Sequence, residues 1–401
     1  MRTENGKNSK YLKQTNRLLV LKLLCTEGSL LRNDLVRFTG LTKMTASNIV
    51  SDLTDTGWIT ESAVQESVHH SAGRKPAVLT LCDTSPCCAG IYVGRHSVRI
   101  AICDLAANAL YTDESFYPES PDGQYVADLA SSLLKKAKKQ TRRKLIGVGI
   151  SAIGPLDAEK GILLTPPNFF GMRNIPIQKM IESQIHMPCF LVHDSSAGAL
   201  AEKLYGVGKD LSNFLFILIS NGIGAGLIAD NELYDGVLGL TGELGHISIR
   251  YDGPKCSCGG RGCLELYASE KNMADEIRKT DPSLFHSFHD KQPGIRAISE
   301  AAQSGKTGAM AALRHFCEYL SVALVNCINI IDIHHVIVGY SGSDILKTIL
   351  EDEVNKRLLA SDYRHVNVLR GSFGDHAPVI GAAAYISNLA FNGVIPILSE
   401  K

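Results

Sequence analysis

Gly242-Glu243-Leu244-Gly245-His246 is followed by Cys256-Ser257-Cys258-Gly259-Gly260-Arg261-Gly262-Cys263-Leu264-Glu265. Three thiols within eight positions, interleaved with glycines that permit tight turns, suit one tetrahedral ion. Cys256 and Cys258 stand one residue apart, so they share an ion only if the backbone bends sharply, which Gly259 and Gly260 allow. A nearby histidine, His246, supplies a fourth ligand. Three Cys and one His describe a closed structural Zn2+ site spanning 246–263, with no open coordination position. The plainer alternative is reduced core cysteines beside a solvent-facing imidazole. The other eight cysteines, Cys25, Cys82, Cys87, Cys88, Cys103, Cys189, Cys317 and Cys327, read as small core hydrophobes.

Around this stretch the chain alternates short apolar strands with helices. Strands are predicted at 89–93, 98–103, 145–150, 189–192, 214–219, 226–229 and 335–338. Helices are predicted at 123–138, 195–205, 264–279, 308–331 and 343–357. Such alternation over about 300 residues indicates an α/β fold in two lobes. The first 82 residues differ. An apolar helical pattern at 16–25 is followed by a short helix from Arg32 to Gly40, with Leu35, Val36 and Phe38 available to pack. Thr42 then fits a helix N-cap. A third helix runs to about Thr56, with Ile49, Val50 and Leu53 inward, and Gly57 stops it. Strands at 58–60 and 77–81 flank a polar loop carrying Gly73-Arg74-Lys75-Pro76. Helix, helix–turn–helix and β-ribbon together make a winged helix-turn-helix, expected at 1–82, with the α/β part at 83–401.

The third helix of such a unit lies in the major groove. Its early exposed residues are Thr42, Lys43, Met44, Thr45, Ser47 and Asn48. Asn pairs well with adenine, Ser and Thr bond either groove edge, and Met or a Thr methyl meets the thymine methyl. Arg74 and Lys75 at the loop tip are placed to reach phosphates or the minor groove. The alternative is a three-helix packing or dimerisation module. Charge is only weakly informative. The whole chain balances 41 Lys+Arg against 41 Asp+Glu, while residues 1–82 hold eleven Lys/Arg and seven Asp/Glu. No run reaches the roughly 20 apolar residues of a membrane helix, and the polar N-terminus lacks the apolar core of an export signal. The reading is a reduced, cytoplasmic protein with no membrane insertion.

The quoted stretch, taken as Gly242–His246 plus Cys-x-Cys-Gly-x-x-Gly-Cys-x-Glu, resembles the signature of the ROK family of repressors, open reading frames and kinases. Gly147–Pro155 is similar to its G-x-G-x-x-x-x-G-P strand and loop, and Leu218–Gly226 to its phosphate hairpin. The stretch from Gly253 to Lys271 is similar to xylose-repressor-type members. The resemblance implies two actin/hexokinase-like lobes with a sugar in the cleft. It places Asp194, in Val192-His193-Asp194-Ser195-Ser196-Ala197, at the general-base position of the family's kinases, where His193 and Ser196 replace the usual asparagines. It assigns sugar hydroxyls to His193, Asp194, Glu243, His246 and Glu265. If one nitrogen of His246 binds zinc, the other faces the sugar.

The same resemblance argues against kinase activity. The family kinases carry Asp-x-Gly-Gly-Thr on the first strand; here Tyr92, Arg95 and His96 stand at the Asp, second Gly and Thr positions. A phenol does not coordinate magnesium as a carboxylate does, and phosphoryl transfer depends on that positioning. The glycines of the hairpin, Gly222, Gly224 and Gly226, have a simpler reading as requirements of a tight turn. The resulting expectation is a sugar-responsive, operator-binding repressor, not an enzyme, with double-stranded DNA and a small sugar or derivative as partners. It is expected to be a homodimer or homotetramer. A bifunctional sugar kinase, or a repressor controlled by a protein partner, remain the alternatives.

Overall fold

A computed structural model describes residues 9–63, 77–220, 222–237, 239–290, 292–359 and 361–398. The N-terminal unit comprises α1 (Ser9–Glu27), β1 (Leu30–Leu31), α2 (Arg32–Thr39), α3 (Lys43–Asp55), β2 (Ile59–Ala63) and β3 (Ala77–Leu81), its strands ordered β1-β3-β2. Thr42 caps α3 by accepting the Thr45 N–H, and Ala46, Ile49, Val50 and Leu53 form the buried face. Arg17, almost fully buried, ties α1 to α3 through Asp52 at 2.7 Å. Phe38, expected in the core, is instead 52% exposed with the Arg37 guanidinium stacked over its ring. An eight-residue helix buries one narrow stripe, and Leu35 takes it.

Two five-stranded sheets follow. The first contains β4 (Cys87–Val93), β5 (Ser97–Asp104), β6 (Ala109–Phe116), β7 (Leu145–Ala152) and, past the short β8 (Leu156–Asp157) and β9 (Ile162–Leu163) pair, β10 (Cys189–His193), in the order β10-β7-β4-β5-β6. α4 (Gly123–Thr141) and α5 (Ile177–Ile185) cover one face. The chain then enters α6 (Asp194–Tyr205) and the second sheet: β11 (Phe214–Ile219), β12 (Ile223–Ala229), β13 (Glu232–Tyr234), β14 (His335–Gly339) and β15 (Asn367–Arg370). α7 (Glu270–Thr280), α8 (Pro282–Ser287), α9 (Ile295–Gln303), α10 (Thr307–Ile331) and α11 (Ile345–Asn355) build the apolar cluster on its outer side. α12 (Ala377–Phe391) closes the fold.

The second sheet, β13-β12-β11-β14-β15, repeats the first: three antiparallel strands, then two parallel ones. The α/β lobes expected from the sequence are therefore two copies of one plan. In that duplication α6 and α12 are equivalent helices, packed against each other between the sheets. Their approach is so close that a Cβ on Gly381 would stand 2.0 Å from the Ala197 carbonyl oxygen.

The sequence reading missed α5, α8, α9, α12, β1, β6, β8, β9, β13 and β15. α12 is apolar on every side because it is buried on every side, so it shows no amphipathic period. The helix expected at 264–279 is split: a 3-10 turn at Leu264–Leu266, then α7 capped by Ser269. α1 packs on α12, and Leu21, Leu24, Tyr92, Cys103, Ala390 and Phe391 share one apolar cluster, so the N-terminal unit and the first lobe are continuous. Among the described residues no helix is long and apolar enough to cross a membrane.

Candidate functional site

The glycine- and cysteine-rich loop folds back on itself. Cys256 N–H donates to the Gly260 carbonyl, Gly262 N–H to Pro254 and Ile249 N–H to Gly262. Gly262 has φ +62° and lies so close to Arg250 that a Cβ would overlap its carbonyl oxygen. This brings His246, Cys256, Cys258 and Cys263 together, all four ligand atoms within 4.8 Å of one another. Cys258 Sγ and Cys263 Sγ are 3.7 Å apart, as are Cys256 Sγ and His246 Nδ1. A tetrahedron with metal–sulfur bonds of about 2.3 Å and a metal–nitrogen bond of about 2.05 Å has edges of about 3.8 and 3.6 Å. The geometry therefore fits a single metal ion. Burial opposes ionisation of Cys256, yet hydrogen bonds from Cys258, Cys263 and His246 bring its thiol down to about 7. Nδ1 of His246 points to the thiols, which leaves Nε2 for the neighbouring cavity. Of the remaining cysteines, six are buried, and Cys82 and Cys327 are half-buried.

All five residues expected to hold sugar, His193, Asp194, Glu243, His246 and Glu265, line one cavity of about 50 Å³ between the lobes. It adjoins a roomier cleft of about 580 Å³, sharing Pro167, Glu243 and His246 as walls. β10 ends at His193 and α6 starts at Asp194, so both side chains sit at a strand-to-helix junction. Burial raises the Asp194 carboxyl above the usual range, and Glu243 adds to the rise. The Asp194 carboxylate accepts the Ser195 N–H at 2.7 Å.

Ser195, which the sequence reading passed over, organises this corner. Its hydroxyl donates to the Ala225 carbonyl at 2.7 Å and so accepts from His193 Nδ1 at 2.7 Å. That fixes the ring, with Nε2 3.7 Å from Glu243 Oε1. Glu243 Oε1 is buried and has no hydrogen-bond partner among the described residues. Gly154 faces the pair; a Cβ there would lie 2.4 Å from Oε1 and 2.5 Å from Nε2. Gly242, at φ +92°, sits against β12, its carbonyl accepting from Ala225 N–H at 2.7 Å.

Arg95, on the turn between β4 and β5, reaches across the cleft to Glu265 at 3.4 Å. Tyr92 is buried in the cavity wall, which Ser220 also lines. Of the hairpin glycines, Gly222 lies beside the turn. Gly224 and Gly226 lie within β12, where a Cβ would meet Ser195. Their requirement is thus the close approach of α6, not a turn. Asn221 lies outside the described residues.

On the N-terminal unit, Lys43, Met44 and Asn48 are exposed on α3, Met44 by 75%. Thr42 and Thr45 are engaged with each other at the helix cap. The Ser47 hydroxyl accepts from Arg32 at 2.7 Å. Arg74 and Lys75 lie outside the described residues.

The ROK family model matches residues 88–388. The chain belongs to the ROK family. ROK relatives extend over the N-terminal unit as well. The "Xylose repressor" of Bacillus subtilis (strain 168) is 31% identical, covering 94% of this chain and 96% of that protein. The "N-acetylglucosamine repressor" of Escherichia coli O157:H7 is 26% identical, covering 97% and 96%. Among solved structures, a ROK family transcriptional regulator described as a homologue of the E. coli MLC protein matches with a TM-score of 0.75 and 27% identity, over 96% of this chain and 98% of that one. A ROK glucokinase from Streptomyces griseus, solved with glucose and AMPPNP, matches with a TM-score of 0.68 and 25% identity, over 75% and 98%. This ROK protein is a transcriptional regulator similar to the xylose repressors, with the winged helix-turn-helix and actin/hexokinase-like fold expected from its sequence.

Proposed function

We propose that this sugar-responsive repressor of the ROK family reads its effector with His193, Asp194, Glu243, His246 and Glu265, and reads operator DNA with α3. The observation that carries the sugar reading is Glu243 Oε1, buried, 3.7 Å from His193 Nε2 and without a hydrogen-bond partner among the described residues. A buried acceptor left unmade costs free energy, and a hydroxyl-rich ligand supplies the missing donor. The sensor occupies residues 83–401 and the DNA-binding unit 1–82, in a cytoplasmic homodimer or homotetramer whose paired units meet half-sites about 34 Å apart.

His246, Cys256, Cys258 and Cys263 hold a structural zinc ion. Bound zinc supplies a fixed point that orients the imidazole toward the sugar. Sugar phosphorylation is not expected: Tyr92 stands where a carboxylate would hold magnesium, and Arg95 is committed to Glu265. Xylose, N-acetylglucosamine and glucose are the first sugars to test, from the names of the relatives.

The route from cavity to DNA runs along α6. It starts with Asp194 in the cavity and ends with Tyr205, whose hydroxyl donates to the Leu105 carbonyl and whose ring packs on the cluster containing α1. Just beyond, Lys209 pairs with Glu27 at the end of α1 at 2.8 Å. A sugar that favours one arrangement of the lobes by a few kcal/mol shifts the population of DNA-competent protein. Glu243→Gln in the full-length protein is expected to keep operator binding and lose sugar response, measured by fluorescence anisotropy on a labelled operator with and without sugar. An unchanged sugar response in that variant removes this site from consideration.

A further inference from the structure

Arg32 opens α2 and touches two other elements of the DNA-binding unit. Its Nε and Nη2 form a two-pronged pair with Glu61 of β2, at 2.7 and 2.8 Å, and its Nη1 donates to Ser47 Oγ of α3 at 2.7 Å. We propose that Arg32 is a positioning residue for DNA recognition: it locks the groove-reading helix α3 to β2 of the β-ribbon, so that α3 keeps one orientation toward the duplex. The inference rests on α3 being the reading helix, as argued above.

The geometry suits that task. Guanidinium is planar, and a bidentate carboxylate fixes its plane as well as its distance. The third bond, to Ser47, is then directional. Ser47 lies between Met44 and Asn48, at the exposed end of α3. The inner face of α3 is already anchored by Ala46, Ile49, Val50 and Leu53, so Arg32 fixes the outer edge. Glu61 sits in β2, paired with Leu79 of β3, two residues before the end of β2. A rotation of α3 relative to that ribbon must break the clamp.

Two other roles make different predictions. If Arg32 were a phosphate contact, its loss would weaken every duplex and lower the salt dependence by about one charge. If it served only folding, the melting temperature would fall. A partly exposed pair of this kind, at 37% and 26% side-chain exposure, contributes little to stability.

The test uses full-length protein and a duplex selected by that protein from a random-sequence pool, against a scrambled duplex of equal length and composition. Arg32→Ala is expected to weaken the selected duplex about tenfold, to leave the scrambled duplex and the slope of log K against log salt unchanged, and to melt close to wild type. Glu61→Gln should act in the same direction, and the double variant should be no worse than Arg32→Ala alone. The exchange Arg32→Glu with Glu61→Arg should recover part of the loss. The proposal is overturned by equal loss on both duplexes with a shallower slope, by tighter binding of Glu61→Gln, or by no effect of either variant. Failure to select any sequence overturns the DNA-reading assignment, and this inference with it.

Discussion

Removing one thiolate tests how the metal site serves the cavity. Cys258 is the exposed member of the Cys/His cluster, so Cys258→Ser disturbs no packed core. Its Sγ stands 3.7 Å from Cys263 Sγ, the separation expected of two thiolates on the proposed zinc. A structural zinc is worth about 10–16 kcal/mol in isolated zinc-finger peptides. That is an upper limit here, because the loop is also held by its own backbone bonds, among them Leu264 N–H to Ile247 and Ile249 N–H to Gly262. The effect at the cavity is smaller and better defined. Without the metal, His246 loses its anchor, and the stake is one imidazole–hydroxyl hydrogen bond of about 0.5–1.5 kcal/mol. At about 1.4 kcal/mol per decade that is roughly a 2- to 12-fold rise in sugar Kd. The measurements are zinc per chain by atomic emission after dialysis against chelator, sugar Kd by titration calorimetry, and amide exchange across 248–263. Zinc loss, faster exchange in the loop and a weakened but measurable sugar affinity are expected. Wild-type sugar affinity in protein shown to have lost its zinc would refute the coupling, and a metal-free wild type would refute the site.

Other outcomes follow from single contacts. Burial raises the Asp194 carboxyl above its unfolded value, so the folded state loses stability as pH rises through the folded pKa and keeps it below the unfolded one. Asp194→Asn should therefore match wild type near pH 4 and melt higher at neutral pH, while responding poorly to sugar; melting curves across pH that never diverge would contradict this. Asn48→Ala on the exposed face of α3 should cost about 1–3 kcal/mol of discrimination between operator and mismatched duplex in competition binding. Gly381→Ala forces a Cβ to within 2.0 Å of the Ala197 carbonyl oxygen, so α6 and α12 must part. A loss of about 1–3 kcal/mol or more in urea unfolding is expected, and an unchanged midpoint would show that the helices have room to spare.

What the sequence determined on its own was local and periodic. The cap at Thr42, the buried stripe of α3 and the strand at Ala77–Leu81 follow from spacing and residue chemistry within a few positions. The Cys/His cluster was legible for the same reason, since its four residues lie within eighteen positions of chain. Tertiary structure alone decided the rest. Nothing local says that Glu243 must meet His193, that Ser195 holds that ring through Ala225, or that Arg32 takes the Ser47 hydroxyl. α12 has no polar face to give it a period, because the first sheet, α6 and α1 surround it. The duplication of the two sheets is likewise visible only in strand order. Local pattern reports which face of an element avoids water. Which faces meet is settled by packing among residues far apart in the chain, and the cavity is a product of that packing.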